Sequence, residues 1–177
     1  TIFPKPPTRQ GDVLPAENGQ WMSNGRLYEQ LVSRMKQLGS NGFRAVLWHQ
    51  GESDANQADA GRTLTESEYH SMLKNLILQS RKDIGWEAPW MVAQVSYHSP
   101  EEPSSNEIRA AQASLCKEGI ALRGPDSDSL TGSYRDQNGK GIHLSKTGLI
   151  RHGTLWYRDV CRWISFESIP RKPDLAD

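Results

Sequence analysis

An α/β domain built on a parallel sheet is what the sequence predicts, and three observations predict it. Short apolar runs at 43–48, 90–95 and 120–123 read as buried strands, stretches with helically spaced apolar residues separate them, and each run ends in polar material. Strands alternating with helices imply right-handed crossovers and parallel pairing. In such a sheet the carboxyl ends of the strands share one edge, so their polar ends can converge on a site. The 177 residues suffice for one domain with its own core.

Residues 1–25 carry Pro4, Pro6, Pro7 and Pro15 with Gly11, Gly19 and Gly25, and read as an irregular arm. Leu27, Leu31, Met35 and Leu38 then recur at helical spacing up to Gly39. After the strand at 43–48, Thr65-Glu66-Ser67-Glu68 has the form of a capping box. It opens a helix whose apolar side is Tyr69, Met72, Leu73, Leu76 and Ile77. The strand at 90–95 is followed by a helix marked by Ile108, Ala111 and Leu115 and stopped by Gly119. Ile120-Ala121-Leu122-Arg123 is the third strand, ended by Gly124-Pro125. Ser145 suits the N-cap of a last helix through Leu149, Trp156, Val160 and Trp163. The domain is expected over 26–164, with 165–177 a tail. Three strands make a thin sheet, so the expectation is a fold incomplete at its N-terminus, with further strands before Thr1.

Lys+Arg and Asp+Glu both total 21, and this balance argues against a nucleic-acid partner, which calls for a basic excess. No apolar run approaches the ~20 residues of a membrane span. Cys116 and Cys161 lack any metal-ligand spacing and read as free thiols. There is no His-Glu-x-x-His pair and no Ca²⁺ loop, and Gly139-Lys140-Gly141 lacks the spacing of a phosphate-binding loop.

The densest polar strand end is Trp48-His49-Gln50-Gly51-Glu52-Ser53-Asp54. Neither helix packing nor a plain turn calls for these residues side by side, and Glu52 within so polar a cluster favours function over capping. His49 beside Trp48 reads more readily as a packing residue than as a base. Asp126 and Asp128 either serve the turn after Gly-Pro or face the site. His70 and His152 lie on helices and read as solvated or capping, and His98 as a loop residue. His143, in Lys140-Gly141-Ile142-His143-Leu144-Ser145, sits just before the last helix, where an imidazole can meet a strand-end carboxylate and act as a general base.

Trp48-His49-Gln50-Gly51-Glu52-Ser53-Asp54 resembles the Trp-[His/Tyr]-Gln-Gly-Glu-Ser-[Asn/Asp] signature of the sialate O-acetylesterase and acetylxylan esterase group of the SGNH hydrolases. Asn24-Gly25-Arg26-Leu27-Tyr28, Glu107-Ile108-Arg109-Ala110-Ala111-Gln112 and Gly141-Ile142-His143-Leu144-Ser145 extend the likeness in order. The resemblance implies a flavodoxin-like three-layer α/β/α sandwich that removes acetyl groups from sugars such as sialic acid or xylan. The mechanism it implies is Ser-His-carboxylate, without metal or cofactor. It places the catalytic histidine at His143, an oxyanion-hole donor at Gln50 and an orienting acid at Glu52. His49, Asp54, Asp126 and Asp128 become the residues expected to meet the substrate. A secreted or periplasmic location follows from the same likeness.

Two positions depart from the pattern. Many members carry Asp three residues before the histidine, where this chain has Lys140, so the acid must come from elsewhere: Glu52 first, Asp126 or Asp128 next. The nucleophile block, Gly-[Asp/Gln]-Ser followed by Asn, Ile or Leu after a strand, is matched only partly by Met22-Ser23-Asn24-Gly25. The serine is therefore expected upstream of Thr1, making the N-terminal segment of the same protein a partner of these residues and the chain alone inactive. The competing expectation is a non-catalytic carbohydrate-binding or scaffold domain derived from such an esterase, its Trp residues stacking on sugars.

Overall fold

The computed structural model describes residues 21, 25–55, 59, 61 and 63–167. The arm before Trp21, Ser23 in its Ser-Asn pair, and most of the expected tail lie outside them. Three strands, β1 (Val46–Trp48), β2 (Trp90–Gln94) and β3 (Leu122–Asp126), form a parallel sheet in the order β1-β2-β3. Helices α1 (Arg26–Leu38), α2 (Glu66–Ile84), α3 (Asn106–Lys117) and α4 (Lys146–Glu167) alternate with them. The α/β parallel architecture expected from the alternation is present.

α1 packs on α2, α2 on α3, and α3 on β2 and β3. Their shared core takes Trp48, Trp90 and Val92 from one sheet face, together with Tyr69, Leu73, Ile77, Ile108 and Leu115. Because side chains alternate along a strand, Leu47 and Met91, paired in register, point to the other face. There α4 lies against β3, and Trp163 borders a cleft with Met91 and Leu122. Leu47 on edge strand β1 stays 48% exposed.

The capping box forms as read: Thr65 Oγ1 accepts from Glu68 N–H, and the Glu68 side chain accepts from Thr65 N–H. Ser145 accepts from Gly148 N–H at the start of α4. β1 starts only at Val46 instead of 43, and three further features differ. On α1 the expected Met35 is buried and Leu31 packs partly against the core, but Leu38 is exposed, and the other buried residues are Val32 and Tyr28, whose hydroxyl donates to Asp83. β3 runs through Gly124-Pro125 instead of stopping there. A Cβ at position 124 would lie 3.0 Å from Ala93 N, so glycine permits the close approach to β2. Pro125 is tolerated because β3 is an edge strand, where a missing N–H costs no ladder bond. α4 continues through Ser165 to Glu167, so the helix reaches past the expected start of the tail. Cys116 and Cys161 are free thiols. No described helix is long and apolar enough to cross a membrane.

Candidate active site

The loop after β1 is anchored from below. Trp48 is buried, its ring 5.0 Å from Trp21 and 5.6 Å from Trp90. The backbone carbonyl of Gln50 accepts from the Tyr69 hydroxyl at 2.6 Å and from Gln112 Nε2 at 3.2 Å. Gln112, fully buried, also bonds both N–H and C=O of Val95, tying the end of β2 to the end of β1. Gly51 is demanded by this contact: a Cβ there would sit 2.0 Å from Val95 O.

The Gln50 side chain is buried, donates to Asp54 Oδ2 at 2.7 Å and accepts from Tyr69 at 3.1 Å. A primary amide has two N–H bonds, and among the described residues only one of them has an acceptor. Asp54 is buried as well, and the structure does not bring it to the surface where a substrate would meet it. Glu52 begins a single 3₁₀ turn and accepts from Gly51 N–H at 3.0 Å. Its other oxygen lies 3.7 Å from His49 Nδ1, and burial raises its pKa above the usual carboxylate range.

His49 Nε2 is 3.0 Å from Ser127 Oγ. Ser127, His49 and Glu52 thus lie in the order of a Ser-His-acid row. Ser127 is only 2% exposed, so its hydroxyl serves His49 and not an incoming ester. The His49 ring also meets His152 of α4, centroids 4.5 Å apart, while His152 Nε2 accepts from Trp156 Nε1. Burial lowers both imidazoles, and neighbouring His49 adds to the effect at His152, pushed down to about 4. The expectation of a solvated or capping His152 gives way to one joining α4 to the β1 loop.

Asp126 and Asp128 are held by Arg109 of α3. Arg109 grips Asp126 with both terminal nitrogens at 2.9 and 2.7 Å, and Nη1 also reaches Asp128 at 2.8 Å. Asp128 further accepts from the N–H groups of Ser96 and Tyr97 and from Ser96 Oγ. With four donors on one carboxylate, Asp128 latches the loops after β2 and β3, which is the turn-building alternative. Arg109 holds the Asp126 carboxyl below the usual range. Neither aspartate is brought to His143.

His143 instead meets an acid that the sequence reading passed over. Residues 134–136 run antiparallel to 143–145: Asp136 N–H donates to His143 O at 2.9 Å and Ser145 N–H to Tyr134 O at 2.8 Å. The ribbon closes through Gln137, Asn138 and Gly139, all at positive φ (48°, 58° and 86°). Two non-glycine residues there make the turn a strained one, of a type that Asn-Gly favours. This pairing sets Asp136 Oδ2 3.4 Å from His143 Nδ1. The His143 side chain is 79% exposed. The legible signal was the Asn138-Gly139 turn, which folds an acid seven residues upstream back onto the histidine.

A sequence model of the carbohydrate esterases described as sialic acid-specific acetylesterases matches residues 15–161. The chain belongs to that family. Neither the curated proteins nor the solved structures yielded a significant match. Membership in the sialic acid-specific acetylesterase family assigns carbohydrate acetylesterase-type hydrolysis at the level of the family. It also agrees with the flavodoxin-like reading of the three-stranded parallel sheet. Among the described residues, no group of three or more His, Cys, Asp or Glu side chains is arranged to hold a metal ion.

Proposed function

We propose that these residues carry the base, its acid and part of the oxyanion side of a serine-type carbohydrate O-acetylesterase, acting on acetylated sugars such as sialic acid or xylan. The observation that carries the proposal is the Asp136–His143 pair, an exposed imidazole with a carboxylate oxygen 3.4 Å from its Nδ1. His143 Nε2 takes the proton of the serine as it attacks the acetyl carbonyl, and returns it to the departing sugar oxygen. Asp136 holds the Nδ1–H tautomer and stabilises the imidazolium. Water, activated by the same His143, then releases acetate. The spare amide hydrogen of Gln50 is offered to the developing oxyanion, a contribution typically worth ~10²–10³ in rate. In this reading Asp136 takes the orienting role first given to Glu52, which faces His49.

The nucleophilic serine is proposed to come from sequence preceding Thr1. Two features support this. Ser23 matches the nucleophile block only in part, and the half-exposed Leu47 lies on an edge strand of the described sheet, whereas parallel sheets are covered on both faces. The test is hydrolysis of p-nitrophenyl acetate and of an O-acetylated sialic acid by the full-length parent protein and its His143→Ala form. Activity in the parent and its loss in the variant are expected; equal turnover in both would remove His143 from the mechanism. Sugar binding without turnover in either protein would favour the carbohydrate-binding reading.

A further inference from the structure

Arg135 stands between the two halves of the ribbon that carries the acid and the base. Its residue is 5% exposed, yet its guanidinium has no carboxylate partner within ion-pair distance among the described residues. Nε donates to Leu130 O, Nη1 to Ile142 O at 2.9 Å and Nη2 to Ser127 O at 3.4 Å. The guanidinium carbon lies 3.6 Å above the centre of the Tyr97 ring. One planar group therefore binds the loop after β2 through Tyr97, the loop after β3 through Leu130 and Ser127, and the carbonyl immediately before His143.

A buried cation whose acceptors are neutral carbonyls is a costly way to gain stability alone. Its value lies in geometry. The ribbon of 134–136 and 143–145 is held by few ladder bonds around a turn with three left-handed residues, and so short a pair is marginal by itself. Asp136 touches His143 only while that ribbon keeps its register. We infer that Arg135 is the positioning residue of the His143–Asp136 pair, its fork seating the ribbon on the sheet edge so that the imidazole keeps one tautomer and one direction. This rests on the reading of His143 as the base. Lysine cannot replace it, because a point charge on a flexible stem does not reach three carbonyls in one plane.

The test uses Arg135→Lys and Tyr97→Leu, the second removing the ring beneath the guanidinium while keeping its hydrogen bonds. The tautomer of His143 is read by ¹⁵N NMR in this chain, and kcat and KM in the full-length parent. For Arg135→Lys we expect kcat to fall about 100-fold at unchanged KM, the scale of a misplaced catalytic group. We also expect the His143 signal to move from the Nδ1–H form to a mixture. Tyr97→Leu is expected to move the tautomer in the same direction by a smaller amount, and decides the question if Arg135→Lys fails to fold. A wild-type tautomer in every folded variant would overturn the inference, even if kcat fell along with thermal stability. If the parent shows no esterase activity, the esterase reading fails, while the tautomer still reports on Arg135.

Discussion

Asp136 and His143 face each other across a two-stranded ribbon, backbone bonded to backbone and carboxylate 3.4 Å from Nδ1. The pair is carried on this ribbon and the turn that closes it, outside the three strands of the sheet. If Asp136 orients the imidazole, Asp136→Asn should lower kcat of the full-length protein by about 10³–10⁴-fold, the scale seen when the wrong tautomer is favoured. Glu52→Gln should cost about tenfold or less, since Glu52 contacts His49. Steady-state kinetics on p-nitrophenyl acetate decide between them, and the reverse ranking would restore Glu52 as the acid.

Gly141 separates activity from stability. A Cβ at that position would stand 1.6 Å from Asp136 Oδ1, a buried oxygen with no hydrogen-bond partner among the described residues. In Gly141→Ala the easiest relief is rotation of the Asp136 carboxylate away from His143. The expected outcome is a kcat loss approaching that of Asp136→Asn with a melting temperature within a few degrees of wild type. Gly51→Ala should behave oppositely, because its Cβ would meet the rigid Val95 carbonyl at 2.0 Å. There, thermal denaturation should show a destabilisation of about 1–3 kcal/mol, typical of overpacking.

How much of this was legible in the sequence follows from the range of each interaction. The capping box at Thr65 and the N-cap at Ser145 are local and could be read residue by residue. Which side of α1 faces the core was legible only in part: Met35 and Leu31 pack inward as expected, but Leu27 and Leu38 compete with Tyr28 and Val32. The choice depends on α2 offering Asp83 to the tyrosine. β3 was misplaced because Gly124-Pro125 is a turn signal in isolation and becomes strand only at an edge close to β2. At the site, the cluster at 48–54 and His143 announced themselves by type. The pairing of acids with bases did not: Glu52 to His49, Asp126 and Asp128 to Arg109, and Asp136 to His143 are all set by loop geometry.

Asp126 and Asp128 share Arg109 but differ in burial. Removing Asp128 leaves two buried backbone N–H groups and the Ser96 hydroxyl without their acceptor and strips Arg109 of the more buried of its two carboxylates. Asp128→Ala is therefore expected to cost about 3–5 kcal/mol in urea unfolding, as for a broken buried pair. The Asp126 carboxylate is partly exposed, and Asp126→Ala should cost only about 1 kcal/mol. KM of Asp126→Ala for an acetylated sugar should stay within about twofold of wild type if the carboxylate serves only Arg109; a large rise would return it to the substrate side.

The imidazoles of His49 and His152 give stability a pH dependence of predictable sign. Burial holds both below the ordinary value of 6.5, His152 at about 4, so the unfolded chain takes up protons before the folded one does as pH falls. Stability from these groups is complete above the unfolded value and is lost as pH falls through the folded ones. Glu52 acts in the opposite sense, since its raised pKa lets the folded state bind a proton first. Replacing one histidine isolates the effect. In His152→Gln the side-chain carbonyl can still accept from Trp156, while one titration is removed. The urea midpoint of wild type should fall more steeply between pH 6.5 and about 4 than that of the variant, and parallel slopes would show that His152 takes up its proton equally in both states.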